Sequence, residues 1–148
     1  MNHIDLFHYT SYRQYLRDWS AAMRGRKSFS CRAFANRAGL GSSGHFKMVV
    51  DGKRNLGLKG LHRFMNGLRL LREERLYFRY LVLWNQAETD EERGHYEGRL
   101  TLLRKCRTLM PEVLEKVERL RDEIAGLFPS EFTKEDASLL AGQLLSLE

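Results

Sequence analysis

The chain has 148 residues, 43% of them hydrophobic and 30% charged, with a formal net charge of +6. This is the composition of one globular domain, or of a small domain with an appendage, and no apolar run approaches the roughly 20 residues a membrane helix needs. The start, MNHIDLFHYT, has neither the basic stretch nor the apolar core of a signal peptide, and Cys31 and Cys106 form no CxxC or Cys/His cluster. These features fit a reducing cytoplasm and argue against a zinc site.

Charge is unevenly distributed. Residues 1–87 hold 16 Lys/Arg against 5 Asp/Glu, and residues 88–148 hold 9 against 14. Between Arg24 and Arg72, twelve basic residues meet a single acid, Asp51. A field so one-sided points to a polyanionic partner rather than to an ordinary solvated basic face.

Two prolines and few β-branched residues predict an all-α fold. Thr10 or Ser11 caps a first helix, in which Tyr12, Tyr15, Leu16, Trp19 and Met23 share one face. Arg13 and Arg17 are expected to point away from that face, and Gly25 to stop the helix. Ser30 caps a second helix over about 31–38, with Cys31, Phe34, Ala35 and Ala38 inward. Gly39 follows as a left-handed terminator. Ser42 or Ser43 caps a third helix over about 43–51. Its inner face is Phe46, Val49 and Val50, and its outer face is Gly44, Met48 and Asp51, with His45 and Lys47 on the flanks. So short a helix depends on packing for its stability. A fourth helix carries Leu58, Leu61, Phe64, Met65 and Leu68. A fifth, from about Arg72, carries Leu76, Tyr77, Tyr80, Leu81 and Trp84, closing a compact unit near Ala87.

At AETDEERGHY the acids mark a new helix start, at the positive end of the helix dipole. Leu103, Met110, Val117 and Ile124 then recur every seven residues, as do Cys106, Val113, Leu120 and Leu127, offset by three. This is an a/d pattern, widened by Leu114 and Phe128. Pro111 is tolerated in the first turn of a helix, so two helices are expected, roughly 90–108 and 111–127. The stripe fits either a helical hairpin packed on the first domain or a homodimer interface. A last short helix is expected over 134–147.

A helix-turn-helix needs a small residue where the second helix crosses the first, a flexible residue in the turn, and an apolar inner face on the second helix. Ala35, Gly39 and Phe46/Val49 meet these three requirements. DGKRNL then places Lys53, Arg54 and Asn55 just past the helix, where phosphates of double-stranded DNA would pass. Direct reading uses Arg or Lys on guanine and Asn or Gln on adenine. Lys47 is the one strong donor on the outer face, with Ser42, Ser43, His45 and Met48 beside it. Affinity is therefore expected from phosphate contacts by Arg26, Lys27, Arg32, Lys47, Lys53, Arg54 and Lys59, with steep salt dependence and modest sequence discrimination.

The pieces SCRAFANRAGL and DGKRNLGLKGLHRF resemble the λ-repressor/Cro-like (XRE-like) helix-turn-helix superfamily. Within it the chain resembles a set of predicted bacterial transcriptional regulators. The matching residues are Tyr12, Tyr15, Leu16, Asp18 and Trp19; Ser30, Arg32, Phe34, Ala35, Ala38, Gly39 and Leu40; Gly52, Lys53, Arg54, Asn55 and Leu56; and Asn85, Gln86 and Ala87. The resemblance covers about residues 8–93. It implies a λ-repressor-like five-helix DNA-binding unit and a regulatory role. The turn GLGSSGHFK is one residue longer than the common pattern, and members of the set usually carry a longer C-terminal region.

Catalysis finds no support. The acids Asp18, Asp51 and Glu73 lie on different segments, and His3, His8, His45, His62 and His95 are scattered, as surface or partly packed histidines are. Neither a nucleophile elbow nor a Gly-rich phosphate loop is present. Residues 8–87 are thus expected to form a helix-turn-helix DNA-binding domain, and 88–148 an acidic helical dimerisation or regulatory segment. The whole reads as a cytoplasmic, nucleoid-associated regulator of transcription without cofactor, metal, membrane or small-molecule ligand. The alternatives are a protein-interaction module that has kept the fold, and a nonspecific nucleic-acid binder.

Overall fold

The computed structural model describes residues 4–25 and 29–127. Among them there is no strand. A 3-10 turn, Leu6–His8, precedes six helices: α1 Tyr12–Gly25, α2 Cys31–Ala38, α3 Gly44–Val50, α4 Leu58–Leu68, α5 Arg72–Asn85 and α6 Asp90–Leu127. The chain divides into two compact units, Met1–Leu103 and Arg104–Glu148.

In the first unit α2 packs against α3 and α4, α1 against α3 and α5, and α4 against α5. The cause is a run of large apolar side chains at helical spacing. Tyr12, Tyr15, Leu16 and Trp19 of α1 are buried as expected. Phe34 of α2 has no exposed surface, and its ring lies 4.7 Å from Phe46 of α3, 5.3 Å from Phe64 of α4 and 5.9 Å from Trp19. Burying side chains of this size stabilises the fold by about 1.5–3 kcal/mol each. This cluster holds the two-turn α3, which is too short to persist alone. The rim of the cluster is tight at Gly67, where an added Cβ would stand 2.7 Å from Phe34 and 2.9 Å from Ala38.

The α5 face is broader than expected. Phe78 and Val82 join Tyr77 and Leu81 in the core, while Leu76 is 41% exposed. Leu58, expected inside, is 67% exposed, because it stands in the first turn of α4, one step before the buried stripe of Leu61, Phe64 and Met65. Leu100 of α6 is also buried in the first unit's core.

The C-terminal expectation is corrected in one respect. The two helices 90–108 and 111–127 are a single helix, Asp90–Leu127, with Pro111 inside it. Proline removes one donor and crowds the carbonyl four residues back, yet a helix of 38 residues retains its other backbone bonds on both sides. In the second unit the heptad stripe is graded. Cys106, Met110 and Val113 are exposed, Val117 and Leu120 half-buried, and Ile124 buried. Leu109 and Leu114 flank the exposed part. Phe128 and the expected helix over 134–147 lie outside the described residues.

Candidate nucleic-acid interface

Local chemistry sets both ends of α2 and the end of α3. The Ser30 hydroxyl accepts from the Ala33 amide at 3.0 Å, so Ser30 caps α2. Gly39 is left-handed at φ 68°, its amide reaches Asn36 O, and the Leu40 amide reaches Ala35 O at 2.8 Å. This Schellman closure turns the chain sharply towards α3. The same device recurs after α3. Gly52 has φ 76°, its amide bonds Val49 O, and the amides of Lys53 and Arg54 both donate to Met48 O, at 2.9 and 3.1 Å. The backbone of the basic loop is therefore tied to the end of α3. At the start of α3 the Ser42 hydroxyl accepts from the Gly44 amide at 3.2 Å, and Ser43 makes no side-chain cap.

A second layer of side chains fixes this loop from behind. Arg13 donates through Nε to Val49 O at 3.0 Å and through a terminal nitrogen to Asn55 Oδ1 at 2.7 Å. Arg17 donates to Val50 O at 3.1 Å. The two arginines lie off the apolar face of α1, as expected, and one turn apart they cap the carbonyl end of α3, where cations also meet the negative end of the helix dipole. Gln86 does the corresponding work for the loop. Its Oε1 accepts from Leu56 N at 3.0 Å and from the Tyr12 hydroxyl at 2.9 Å, and its Nε2 donates to Leu56 O at 3.1 Å. Asn85 accepts from Tyr12 N and donates to Thr10 O, both at 2.9 Å, anchoring the start of α1.

The predicted contact residues fall around this scaffold. Lys47 and Met48 stand exposed on the outer face of α3, and Lys53 and Arg54 on the loop. Lys59 is exposed in the first turn of α4, and Arg32 on α2. Asn55 is exposed, but its carbonyl is engaged by Arg13, so it shapes the loop as well as lining the surface. Arg26 and Lys27 lie outside the described residues.

His45, Arg54, Lys59 and Arg63 surround an open groove of about 430 Å³ whose floor is Gly57–Gly60, the start of α4. That helix start has no side-chain cap, so its first amides lack a side-chain acceptor of their own. Sequence reading missed Arg63, although its i+4 spacing from Lys59 places both on one face of α4. His45 is half-buried against the Phe64 ring, 5.8 Å away. Its pKa is lowered, first by burial and then by the Arg54 and Arg63 charges. Lys47, Lys53, Arg54, Lys59 and Arg63 take part in no ion pair among the described residues. Among the same residues no cluster of three or more His, Cys, Asp or Glu forms a metal site, and no helix is long and apolar enough to cross a membrane.

Compared with known protein families, curated proteins and solved structures, the chain matches none.

Proposed function

We propose that α2 and α3 form a helix-turn-helix that places α3 in the major groove of DNA, within a λ-repressor-like unit, and that the protein is a regulator of transcription. The observation that carries this reading is the set of exposed cations Lys47, Lys53, Arg54, Lys59 and Arg63, in no ion pair among the described residues, around α3, the start of α4 and a loop whose Lys53, Arg54 and Leu56 amides are hydrogen-bonded. Phosphates would lie along Lys53, Arg54 and the groove at Gly57–Gly60, where uncapped amides and three cations favour an anion. Base contacts would come from Lys47, Met48 and the serines before α3. The exposed heptad stripe of α6 supports homodimerisation, which would let two weak readers act together.

The test is binding of the purified protein to random-sequence duplex at 50 and 200 mM salt. Five phosphate contacts per copy predict a slope in log affinity against log salt of about −4.5 for a copy that binds alone, a loss of roughly 500-fold over that fourfold change, and a steeper slope where two copies bind together. Lys53→Glu combined with Arg54→Glu removes two contacts and adds repulsion, so binding should vanish at 200 mM. Absence of wild-type binding at 50 mM, or an affinity indifferent to salt, overturns the proposal.

A further inference from the structure

Two grooves flank α3 within the first unit. The first, described above, lies between α3 and the start of α4, where His45 meets Arg54, Lys59 and Arg63. The second, of about 370 Å³, lies between α1 and α3. Phe46 and Val50 contribute to its apolar lining, and the cations Arg17, Arg24 and Lys47 border it against a single carboxylate, Asp51. His45 and Lys47 stand two residues apart, about 200° around the helix, so the two grooves lie on opposite flanks of α3 with Met48 between them. Arg17 is committed to the scaffold: its guanidinium donates to Val50 O at 3.1 Å and to Gln14 Oε1 at 3.2 Å. Arg24, in the last turn of α1, is exposed, and its guanidinium lies 5.5 Å from the centre of the Phe29 ring. An aromatic face holds a cation in place without cancelling its charge. Neither Arg24 nor Lys47 takes part in an ion pair among the described residues.

We infer that the α1–α3 groove seats a phosphate of the second DNA strand, with Arg24 as its contact. This rests on the placement of α3 in the major groove proposed above, and adds the strand opposite the one met at the start of α4. The major groove is about 12 Å wide and a helix with its side chains about 10–12 Å across, so a phosphate backbone passes along each flank of a helix that enters it. Cations on one flank alone answer only one of those backbones. Here each flank has its own groove, and each groove has a surplus of cations: Arg54, Lys59 and Arg63 on one side, and three cations against Asp51 on the other. Phosphate contacts set a protein's register and orientation on the duplex. Contacts to both backbones fix the rotation of α3 about its own axis, which matters for a helix with only Lys47 and Met48 turned outward. Arg24 acts beyond the five cations counted above.

The test is binding of the full-length chain to random-sequence duplex over a range of salt, comparing wild type with Arg24→Ala, Arg24→Lys and Arg79→Ala. Arg79 is exposed on α5 and lines neither groove, so its variant loses the same charge without losing a contact. Removing one phosphate contact makes the slope of log affinity against log salt about 0.9 shallower than that of wild type and weakens binding roughly eightfold at 100 mM salt. Arg24→Ala should show both effects, Arg24→Lys should stay close to wild type, and Arg79→Ala should keep the wild-type slope. If wild type binds but Arg24→Ala matches Arg79→Ala, the inference is overturned and the helix-turn-helix reading stands. Equal losses in Arg24→Ala and Arg24→Lys would trace the effect to packing on Phe29 rather than to charge, and overturn the inference as well. A wild type that fails to bind at 50 mM overturns the proposed function and the inference with it.

Discussion

Removal of the Gln86 side chain, by Gln86→Ala, tests whether the loop after α3 is held as described. The amide side chain makes three hydrogen bonds, to both backbone groups of Leu56 and to the Tyr12 hydroxyl. Leu56 is 4% exposed, and Tyr12 is fully buried. Truncation therefore leaves three polar groups without their partner in a place that water reaches poorly. Each such group costs about 1–3 kcal/mol. Taking the low end for each, because a water can enter the vacated space, the loss is about 3 kcal/mol. For a unit of this size that lowers Tm by roughly 12–24 °C. Urea denaturation followed by circular dichroism measures it, with Arg54→Ala as a surface control that should shift stability by less than about 0.5 kcal/mol. A loss below about 1 kcal/mol for Gln86→Ala, with an unchanged m-value, would refute the reasoning, since the bonds would then carry no net stability. The same variant, studied where it remains folded, should also bind duplex DNA more weakly than wild type, because Lys53 and Arg54 would sample positions away from the phosphates.

Gly67→Ala should destabilise the first unit by about 1–3 kcal/mol, since the new methyl meets Phe34 at 2.7 Å inside the aromatic cluster; thermal melts read this, and a neutral result would mean that α2 and α4 separate freely. His45 should make DNA binding depend on pH. Burial and the two arginines hold its pKa below the ordinary 6.5, and phosphates in the groove would raise it, so binding takes up a proton. Affinity should therefore strengthen as pH falls through the interval between the bound and free values, by at most tenfold per pH unit, and His45→Gln should flatten that dependence in a titration at fixed salt. Stability runs the other way. A histidine whose folded pKa is depressed stabilises fully above the unfolded value and loses that contribution as pH falls below it.

What the sequence made legible was mostly local. Ser30 and Gly39 announce the two ends of α2 through chemistry contained within five or six residues, and each takes the role read for it. The inner faces of α1, α2 and α3 followed from periodicity. What escaped depends on residues far apart in the chain. Arg13 meets Val49, 36 positions away, and Gln86 meets Leu56, 30 away. No periodicity reveals such a partner, and on α1 alone the outward arginines look like solvated charge. Asn85 and Gln86 entered only as part of a resemblance, and the reason for their type is visible only once their amides are seen bracketing Tyr12 and Leu56. Pro111 misled for the opposite reason. The local rule that proline begins a helix was applied where a long helix absorbs the missing donor.

The division of labour on α3 supports the proposed role of so short a helix as a reader. Its inner face is occupied by Phe46, Val49 and Val50, all buried, and its carboxyl end is held by Arg13 and Arg17. Every structural demand on the helix is thus met from the core side, and Lys47 and Met48 are released from packing. Two outward residues are too few to select a long site by base contacts alone, at about 1–3 kcal/mol for each good contact. Under the proposed reading the deficit falls to geometry: a rigid loop that fixes where phosphates sit, and a second copy that doubles the number of contacts. With ten phosphate contacts instead of five, the salt slope would approach −9 and the loss between 50 and 200 mM would reach the order of 10⁵. A variant confined to the monomer by Met110→Glu and Val113→Glu should return the slope to about −4.5 with its fold intact, because both side chains are exposed in the single chain. An unchanged slope in that variant would mean that each copy binds DNA independently and that α6 has no part in recognition.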